Sequence, residues 1–287
     1  MIGYPIEKAA LDREIQSLDA NWSSKAATRT QALVAQGQYQ EASSIWSTVK
    51  PAYMKLQCNK CVFCERQFED QLYGKIEFDL EHFRPKSSVV VWPDPKRHAQ
   101  LSYTFATGLA APSGYFWLAY EPFNYAASCK VCNSMLKLNF FPIAADRGAS
   151  ASTLEQLATE QPYLCYPIGN LDADPETLLT FVGTVAVPAQ SEPVAQRRGQ
   201  VIIDFFDLNR EFLHKDRARM LVLFGSALRA QRQGHADDLD RELINRMGNA
   251  HNPHTNCLKA FQRLWGSDPD LAQRLFDECR RLVAAQA

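Results

Sequence analysis

Hydrophobic positions recur with a helical period along the first part of the chain. Apolar residues return every three or four positions from about Ile6 to Val49, which predicts helices with one buried face. We expect a break at Asn21-Trp22-Ser23-Ser24, where Ser23 or Ser24 would cap the following helix. The pattern therefore predicts an N-terminal helical segment over residues 1–50.

The period changes after Lys50-Pro51, where short apolar runs alternate with Pro, Gly and Asn. Within this loop-rich part, residues 75–83 alternate apolar and charged side chains, which predicts a strand with one wet face. Ile76, Phe78 and Leu80 are expected to point inward. Glu77, Asp79 and Glu81 would share the other face, and His82 would need a bend to leave the inward side. A long irregular insertion is expected over residues 89–120, and a short helix that contains Asn133 is expected after it.

The last part of the chain returns to helical periodicity. Residues 178–187 form an exception, because they predict a β-hairpin that turns around Gly183. Helices are expected over residues 200–233, 237–249 and 254–285, the last broken near Gly266. These patterns divide the chain into an N-terminal helical segment (1–50), a loop-rich core (51–148) and a mostly helical C-terminal region (149–287).

Composition places the chain among soluble globular proteins. It has 287 residues, of which 46% are apolar and 22% charged, with a formal net charge of −1. No run approaches the ~20 apolar residues that span a bilayer, and the N-terminus lacks the pattern of a secretory signal, so a cytoplasmic location is expected. The near-neutral charge argues against indiscriminate nucleic-acid binding but allows a local basic groove.

The eight cysteines are distributed unevenly. Cys58, Cys61 and Cys64 form two overlapping C-x2-C pairs, and Cys129 and Cys132 form another. Two such pairs separated by tens of residues favour a structural zinc site over disulfides in a reducing compartment. From spacing alone, either Cys58 with Cys61 or Cys61 with Cys64 could supply the first pair. The isolated cysteines are expected to be small buried apolar residues: Cys165, Cys257 and Cys279.

Glu81 and His82 lie between the cysteine pairs. A histidine among apolar neighbours is most often a core residue, and a strand glutamate is most often solvated. Side by side, however, a carboxylate can hold Mg²⁺ or Mn²⁺, and an imidazole can accept a proton from water near neutral pH. That combination suits metal-assisted hydrolysis of phosphodiesters.

These motifs together resemble an HNH endonuclease of the zinc-containing ββα-metal type. The resemblance rests on Cys61-x2-Cys64-Glu65, the segment Glu81-His82-Phe83-Arg84-Pro85-Lys86, Asn124, and Cys129-x2-Cys132-Asn133 with Lys137. More narrowly, these segments are similar to the HNH proteins of retron and Septu-type phage-defence systems. Two later motifs add to this similarity: Asp172-Ala173-Asp174-Pro175, and Asp207-Leu208-Asn209-Arg210 with Arg217.

The resemblance implies a fold and a role for each residue. The fold would be mainly α with a small α+β core, in which an HNH finger is stapled by a four-cysteine zinc site and flanked by helical lobes. His82 would be the general base, Asn124 would orient it, and Glu81 with Asn133 would coordinate a catalytic Mg²⁺ or Mn²⁺. Structural Zn²⁺ would be held by four cysteines, which leaves Cys58 a bystander: Cys61, Cys64, Cys129 and Cys132.

The sequence departs from the HNH pattern at two positions. Glu81 stands where many HNH proteins have Asp, so the metal position would shift. Asn133 stands where others have His, which suits an oxygen-liganded ion.

Basic residues near the motifs are candidates for phosphate contacts, although ordinary surface charge is an equal alternative for most of them. The candidates are Arg84, Lys86, Lys96, Arg97 and Lys137. Basic residues of the C-terminal helices are expected to form a solvated face, with a surface for nucleic acid or a partner as the second interpretation. His251-x2-His254-x2-Cys257 has metal-like spacing, but its Asn and Pro neighbours favour a turn between helices.

The resemblance implies a metal-dependent endonuclease, with DNA as the expected substrate. It also implies a partner, an ABC-type, SMC-like ATPase encoded beside it in a defence operon. The alternative is a zinc-stabilised, non-catalytic module that binds nucleic acid or protein, in which Glu81 and His82 only support the fold.

Overall fold

A computed structural model describes residues 1–69 and 76–285 of the chain. About half of these residues are helical, and two small antiparallel sheets of two strands each accompany the helices. This confirms a mainly α protein with a small β-containing part. Among the described residues, none of the helices has the length and apolar character needed to cross a membrane.

The N-terminal segment is helical but less continuous than its periodicity predicts. Asn21, not Ser23 or Ser24, is the N-cap of the second helix, so that prediction is wrong. Gly37 ends this helix with a φ of 71°, a conformation that glycine adopts without strain. The elements are α1 (Lys8–Leu18), α2 (Trp22–Gln36), a 3₁₀ helix (Trp46–Val49) and α3 (Lys50–Leu56).

The first sheet pairs β1 (Phe78–His82) with β2 (Tyr125–Cys129), and a π-helix (Val131–Lys137) follows β2 after one residue. Phe78 and Leu80 are buried, as the alternation predicts. Ile76 is 81% exposed because it precedes the strand, so its predicted inward position is wrong. Lys75, the first residue of the predicted strand, lies outside the described residues.

The chain between β1 and β2 is largely irregular, as predicted. Its regular parts among the described residues are short 3₁₀ turns, Phe116–Leu118 and Pro122–Asn124, and isolated bridges of Val89 to Ala111 and of Val90 to Phe140. Another 3₁₀ helix, Gln156–Glu160, lies near the start of the C-terminal region. Side-chain hydrogen bonds anchor the later part of the insertion, such as those of Tyr115 to Glu160 and of Trp117 Nε1 to Ser152 O.

The C-terminal region contains the predicted hairpin, formed by β3 (Leu179–Val182) and β4 (Val185–Pro188), with Gly183 at φ 57° in the turn. The helix predicted over residues 200–233 is wrong. Two helices occupy that stretch, and they separate near Asp207, which has a φ of 43°. The helices are α4 (Pro175–Leu178), α5 (Pro193–Phe205), α6 (Glu211–Arg232), α7 (Asp238–Arg246), α8 (Thr255–Ser267) and α9 (Pro269–Ala284).

Buried polar contacts join the cysteine-rich segment to the C-terminal helices. Lys60 Nζ, fully buried, donates to Asn252 O at 2.9 Å and to Thr255 Oγ1 at 2.8 Å. Glu65 Oε2 accepts from the backbone N–H of Asn256 at 3.2 Å. Because buried polar groups are costly without partners, these contacts fix how the two parts pack.

Candidate metal centre and polar pocket

Four buried thiols converge at the start of the π-helix. The Sγ atoms of Cys61, Cys64, Cys129 and Cys132 all lie within 4.8 Å of one another. Four sulfurs at ~2.3 Å from a tetrahedral zinc would lie about 3.8 Å apart, and the Sγ atoms of Cys64 and Cys129 are 3.8 Å apart. The cluster could therefore hold a structural metal ion such as zinc.

Cys58 does not join this cluster. It is partly exposed and has a φ of 55°, at the turn that follows α3. The other three cysteines outside the cluster are buried, as expected for small apolar residues: Cys165, Cys257 and Cys279. Spacing allowed either Cys58 with Cys61 or Cys61 with Cys64, and the structure brings Cys61 and Cys64 into the cluster.

Arg210 supplies positive charge near the thiols. Burial acts to lower the pKa of its guanidinium, but the negative charge of the nearby thiolates, Cys64 first, raises that pKa overall. A metal bound by four thiolates carries net negative charge, and a neighbouring cation offsets it. The arginine of the Asp207-Leu208-Asn209-Arg210 motif thus has a local role beside the cluster. Asn209 has a different one, since its side chain pairs with both the N–H and the C=O of Ala186 in β4.

A polar pocket of about 460 Å³ lies at the end of β1. Three segments far apart in sequence form its walls: the 3₁₀ helix with the start of α3, the end of β1 with the loop after it, and the π-helix with the residues that follow. Its polar and aromatic lining combines acids, cations, amides, hydroxyls, an imidazole and an indole. These residues are Trp46, Ser47, Lys50, Asp79, Glu81, His82, Lys86, Asn133, Ser134 and Asn139.

His82 is buried, and its ring has a defined protonation pattern. Nε2 lies 3.1 Å from Ala119 O, and because a carbonyl can only accept, Nε2 must carry the proton. In the neutral ring the basic lone pair is then on Nδ1. Burial, helped by the positive charge of Lys86, holds the pKa of His82 well below its ordinary value, which keeps the ring neutral near pH 7. The sequence required a bend at His82, but none is observed, because His82 is still paired with Tyr125 in the register of β1 and β2.

Glu81 is buried at the same end of the strand, so its predicted position on a wet face is wrong. Its Oε1 forms an ion pair with Lys137 Nζ at 2.8 Å, and Lys137 Nζ also donates to His82 O at 3.1 Å. Burial raises the pKa of Glu81, an effect that Lys137 only partly offsets. A carboxylate has lone pairs for about four partners, so this ion pair leaves Glu81 able to bind a metal ion.

Asp79 is an acidic residue of this pocket to which the sequence motifs assigned no role. Its Oδ2 accepts from Asn133 Nδ2 at 2.9 Å, and this bond leaves Asn133 Oδ1 as the free acceptor of that amide. Lys130 forms an ion pair with the same carboxylate. Asp79 shares a strand face with Glu81 because side chains alternate along β1, and this i, i+2 spacing was the signal that could have revealed it.

Asn124 connects the two segments that hold His82. It is fully buried, its Oδ1 accepts from Arg84 N at 2.8 Å, and its Nδ2 donates to Arg84 O and Leu118 O, both at 3.1 Å. Arg84 follows His82 by two residues, and Leu118 precedes Ala119, the acceptor of the imidazole. The side chain therefore fixes the positions of both groups relative to each other.

The three strongest candidates for phosphate contacts differ in accessibility. Arg84 is 4% exposed, with its guanidinium paired to Glu160 and bonded to Leu157 O. Lys137 is fully buried against Glu81. These contacts favour structural roles for both. Lys86 lines the pocket, with its Nζ 4.7 Å from the centre of the Trp46 ring.

The remaining candidates from the sequence lie elsewhere and have ordinary partners. Arg97 Nη2 donates to Met135 O at 3.2 Å. Asp172 pairs with Arg198, and Asp174 caps α4. His254 Nε2 lies 2.8 Å from Asp216 Oδ2, and Cys257 Sγ contacts Gly183 O, so the His-x2-His-x2-Cys spacing does not converge on one point.

Basic residues of the C-terminal helices divide between buried and paired positions. Arg217 is 1% exposed and donates to Thr184 O at 2.9 Å. Arg232 pairs with Asp270, and Lys215 pairs with Glu211. These residues therefore do not form one uniformly solvated cationic face.

The site thus comprises a four-cysteine cluster that could hold a metal ion and, beside it, an oxygen-rich pocket with a neutral imidazole. Among known proteins, the chain is similar to the Septu protein PtuB of Bacillus mycoides (strain KBAB4), with 28% identity over 173 residues. The alignment covers 60% of this chain and 50% of PtuB, so the chain spans about half the length of this curated relative. No family model matches the chain, and no solved structure matches it.

Proposed function

We propose that the chain is a metal-dependent HNH endonuclease, the nuclease effector of an anti-phage defence system, which hydrolyses phosphodiester bonds of nucleic acid. The observation that carries the proposal is the hydrogen bond of His82 Nε2 to Ala119 O within a pocket that also contains Glu81 and Asn133. This bond makes Nδ1 the basic nitrogen. The order strand, strand, helix, closed by the cysteine cluster, supports a ββα-metal finger.

The proposed chemistry assigns one task to each residue. His82 Nδ1 accepts a proton from the attacking water, and Ala119 O stabilises the imidazolium through the Nε2 proton. Glu81 and Asn133 would hold Mg²⁺ or Mn²⁺, since their donors are the oxygens that these ions prefer. A bound ion would offset charge at the scissile phosphate and the leaving oxygen. Lys86, at the pocket wall, attracts the phosphate.

The cysteine cluster has a separate task in this proposal. A zinc ion there would clamp the segment after α3 to the start of the π-helix, which carries Asn133. Apparent zinc affinities of ~10–16 kcal/mol are comparable with the ~5–15 kcal/mol stability of a whole domain. The cluster would therefore keep Asn133 in position relative to β1.

The substrate and partner are further parts of the proposal. PtuB is described as a Septu protein, and the sequence motifs resemble HNH proteins of such defence systems. We therefore propose DNA as substrate and an ABC-type, SMC-like ATPase as partner. The oxygen-rich pocket suits a phosphodiester of either DNA or RNA, so both must be assayed.

The test is a cleavage assay with Mg²⁺ or Mn²⁺ on plasmid, single-stranded DNA and transfer RNA in parallel, with and without the co-expressed ATPase. His82→Ala should reduce the rate by ~10²–10⁴-fold, the usual contribution of a general base. His251→Ala is the matched control because His251 is exposed on a turn away from the pocket. Full metal-dependent activity in a folded His82→Ala protein would refute the catalytic assignment.

The second candidate is a zinc-stabilised binding module without catalysis. Two observations favour it: Glu81 is already paired with a buried lysine, and His82 packs between aromatic rings. This candidate predicts tightly held zinc, no cleavage with either ion, and an unchanged defence phenotype for His82→Ala. The same set of assays therefore separates the two functions.

A further inference from the structure

Trp46 lies against the imidazole of His82, although it belongs to the N-terminal helical segment. The two ring centres are 4.8 Å apart, and the ring planes are nearly perpendicular, at 89°. Edge-to-face contacts of this kind contribute ~0.5–1.5 kcal/mol beyond burial and depend on orientation. Trp46 also lines the polar pocket, so it contacts the imidazole where a substrate would approach.

The His82 ring is held by three groups from three parts of the chain. Ala119 O fixes the Nε2 edge, the Tyr125 ring meets the imidazole at 5.0 Å and 88°, and Trp46 completes the set. A hydrogen bond and one ring contact leave the imidazole room to tilt about its side-chain torsions. The Trp46 ring packs against a further side of the imidazole.

Trp46 also contacts the cation of the pocket. Lys86 Nζ lies 4.7 Å from the centre of the Trp46 ring and 5.0 Å from that of Tyr39. Contacts of an ammonium with ring faces at this distance are attractive and favour a defined position of the cation. One indole thus contacts both the proposed base and the cation proposed to attract the phosphate.

The helix α2 fixes the segment that carries Trp46. Trp22 Nε1 donates to Ile45 O at 3.1 Å, directly before Trp46. Arg29 Nη1 donates to Ser43 O at 2.6 Å and pairs with Glu41. The segment before Trp46 is irregular but held at two points, so the position of the indole is defined by the fold.

We propose that Trp46 is a positioning residue that orients the imidazole of His82 in the pocket. The proposal rests on the proposed function for its kinetic consequence. Trp46 itself takes no part in proton transfer, because an indole N–H is only a donor. The N-terminal helical segment is accordingly part of the catalytic site.

The kinetic test compares Trp46→Ala and Trp46→Phe with the wild-type protein. Misplacement of a reacting group by about 1 Å can cost ~10²-fold, so kcat of Trp46→Ala should fall about 10- to 100-fold, while KM changes about threefold or less. Trp46→Phe keeps an aromatic ring and should restore kcat to within about threefold. Phe212→Ala is the matched control, since Phe212 is a half-exposed aromatic residue of α6 outside the pocket, and its kcat should not change.

The second readout is independent of activity. NMR signals of the imidazole nitrogens in ¹⁵N-histidine-labelled protein report the tautomer of His82. The His82 signal is the one that is absent from the spectrum of His82→Ala. The wild-type signal should show protonated Nε2, and Trp46→Ala should shift it toward a mixture of tautomers, because a tilted ring loses the hydrogen bond of Nε2 to Ala119 O. Trp46→Leu leaves a smaller cavity than Trp46→Ala and has no ring, so it should reproduce this shift and serves as the decisive variant if Trp46→Ala does not fold.

The outcomes distinguish this inference from the proposed function. If the wild-type protein cleaves no substrate, the proposed function fails, and the tautomer measurement still decides whether Trp46 orients His82. If Trp46→Ala and Trp46→Leu keep both the wild-type kcat and the wild-type nitrogen signals, the positioning role is refuted. A loss of kcat with unchanged signals and rising KM would also refute it, because that pattern indicates substrate contact by Trp46.

Discussion

Asn124 offers the sharpest test of how the pocket is built. Replacement by Ala removes three buried hydrogen bonds, one to Arg84 N and two to the carbonyls of Arg84 and Leu118. The Arg84 N–H is left without its side-chain acceptor, at a cost of ~1–3 kcal/mol, and each lost bond to a carbonyl contributes ~1 kcal/mol. Leu118 O keeps a second partner, Glu121 N, so the loss of its bond to Asn124 should cost less than that of the bond to Arg84 O. The expected loss is about 3–5 kcal/mol.

Asn124→Asp separates hydrogen-bond chemistry from size. The carboxylate keeps an acceptor for Arg84 N, but it places an oxygen where the amide donated to two carbonyls. We therefore expect Asn124→Asp to lose at least as much stability as Asn124→Ala. Asn170→Ala, an exposed asparagine, is the control and should change stability by less than ~0.5 kcal/mol.

The assay is equilibrium urea unfolding, with the free energy of unfolding extrapolated from midpoint and slope. Cleavage by the folded variants is measured below the onset of unfolding, where both variants should be impaired because Asn124 fixes the segments on either side of the His82 contact. Wild-type stability in Asn124→Asp would refute this reasoning, since it would mean that the two donated bonds contribute nothing.

Two further predictions concern the metal centre and the C-terminal helices. Metal analysis should find about one zinc per chain in the wild-type protein and in Cys58→Ser, but none in Cys61→Ser. Chelation should unfold the protein, because zinc supplies ~10–16 kcal/mol in such sites. Zinc retained by Cys61→Ser would contradict the assigned cluster. Burial, which outweighs the contact with Asp216, lowers the pKa of His254, so below pH ~6.5 the unfolded chain binds a proton that the native chain does not. The free energy of unfolding, measured with urea, should thus fall as the pH is lowered from 7.5 to 5.5, and it should fall less in His254→Asn. Equal pH dependence in the two proteins would exclude His254 as the cause.

The parts of the fold that the sequence predicted well are those set by nearby residues. Each C-x2-C pair is a local knuckle, and the Gly183 hairpin needs only a turn with positive φ between two apolar runs. Alternation along β1 likewise predicted the burial of Phe78 and Leu80. These signals are short-range, so a single sequence contains them completely.

The parts that the sequence could not predict depend on contacts between distant segments. Arg84 resembles a surface phosphate ligand until Glu160, 76 residues later, buries it in an ion pair. Lys137 behaves in the same way toward Glu81. Trp46 belonged to an apolar stripe with no sign that it would meet His82, because helical periodicity identifies a buried face but not what packs on it.

The buried pair of Glu81 and Lys137 is the point at which the two candidate functions differ most. Breaking a buried ion pair by removing one partner costs ~3–5 kcal/mol, because the remaining charge stays unpaired. A module that needed Glu81 only for stability would gain nothing from placing it in an open pocket of about 460 Å³ beside a second carboxylate and an amide. A hydrolase would gain from this placement, since the lysine would stabilise the carboxylate and the pocket would leave room for a divalent cation beside it. The pocket, more than the ion pair, is therefore the reason to favour catalysis.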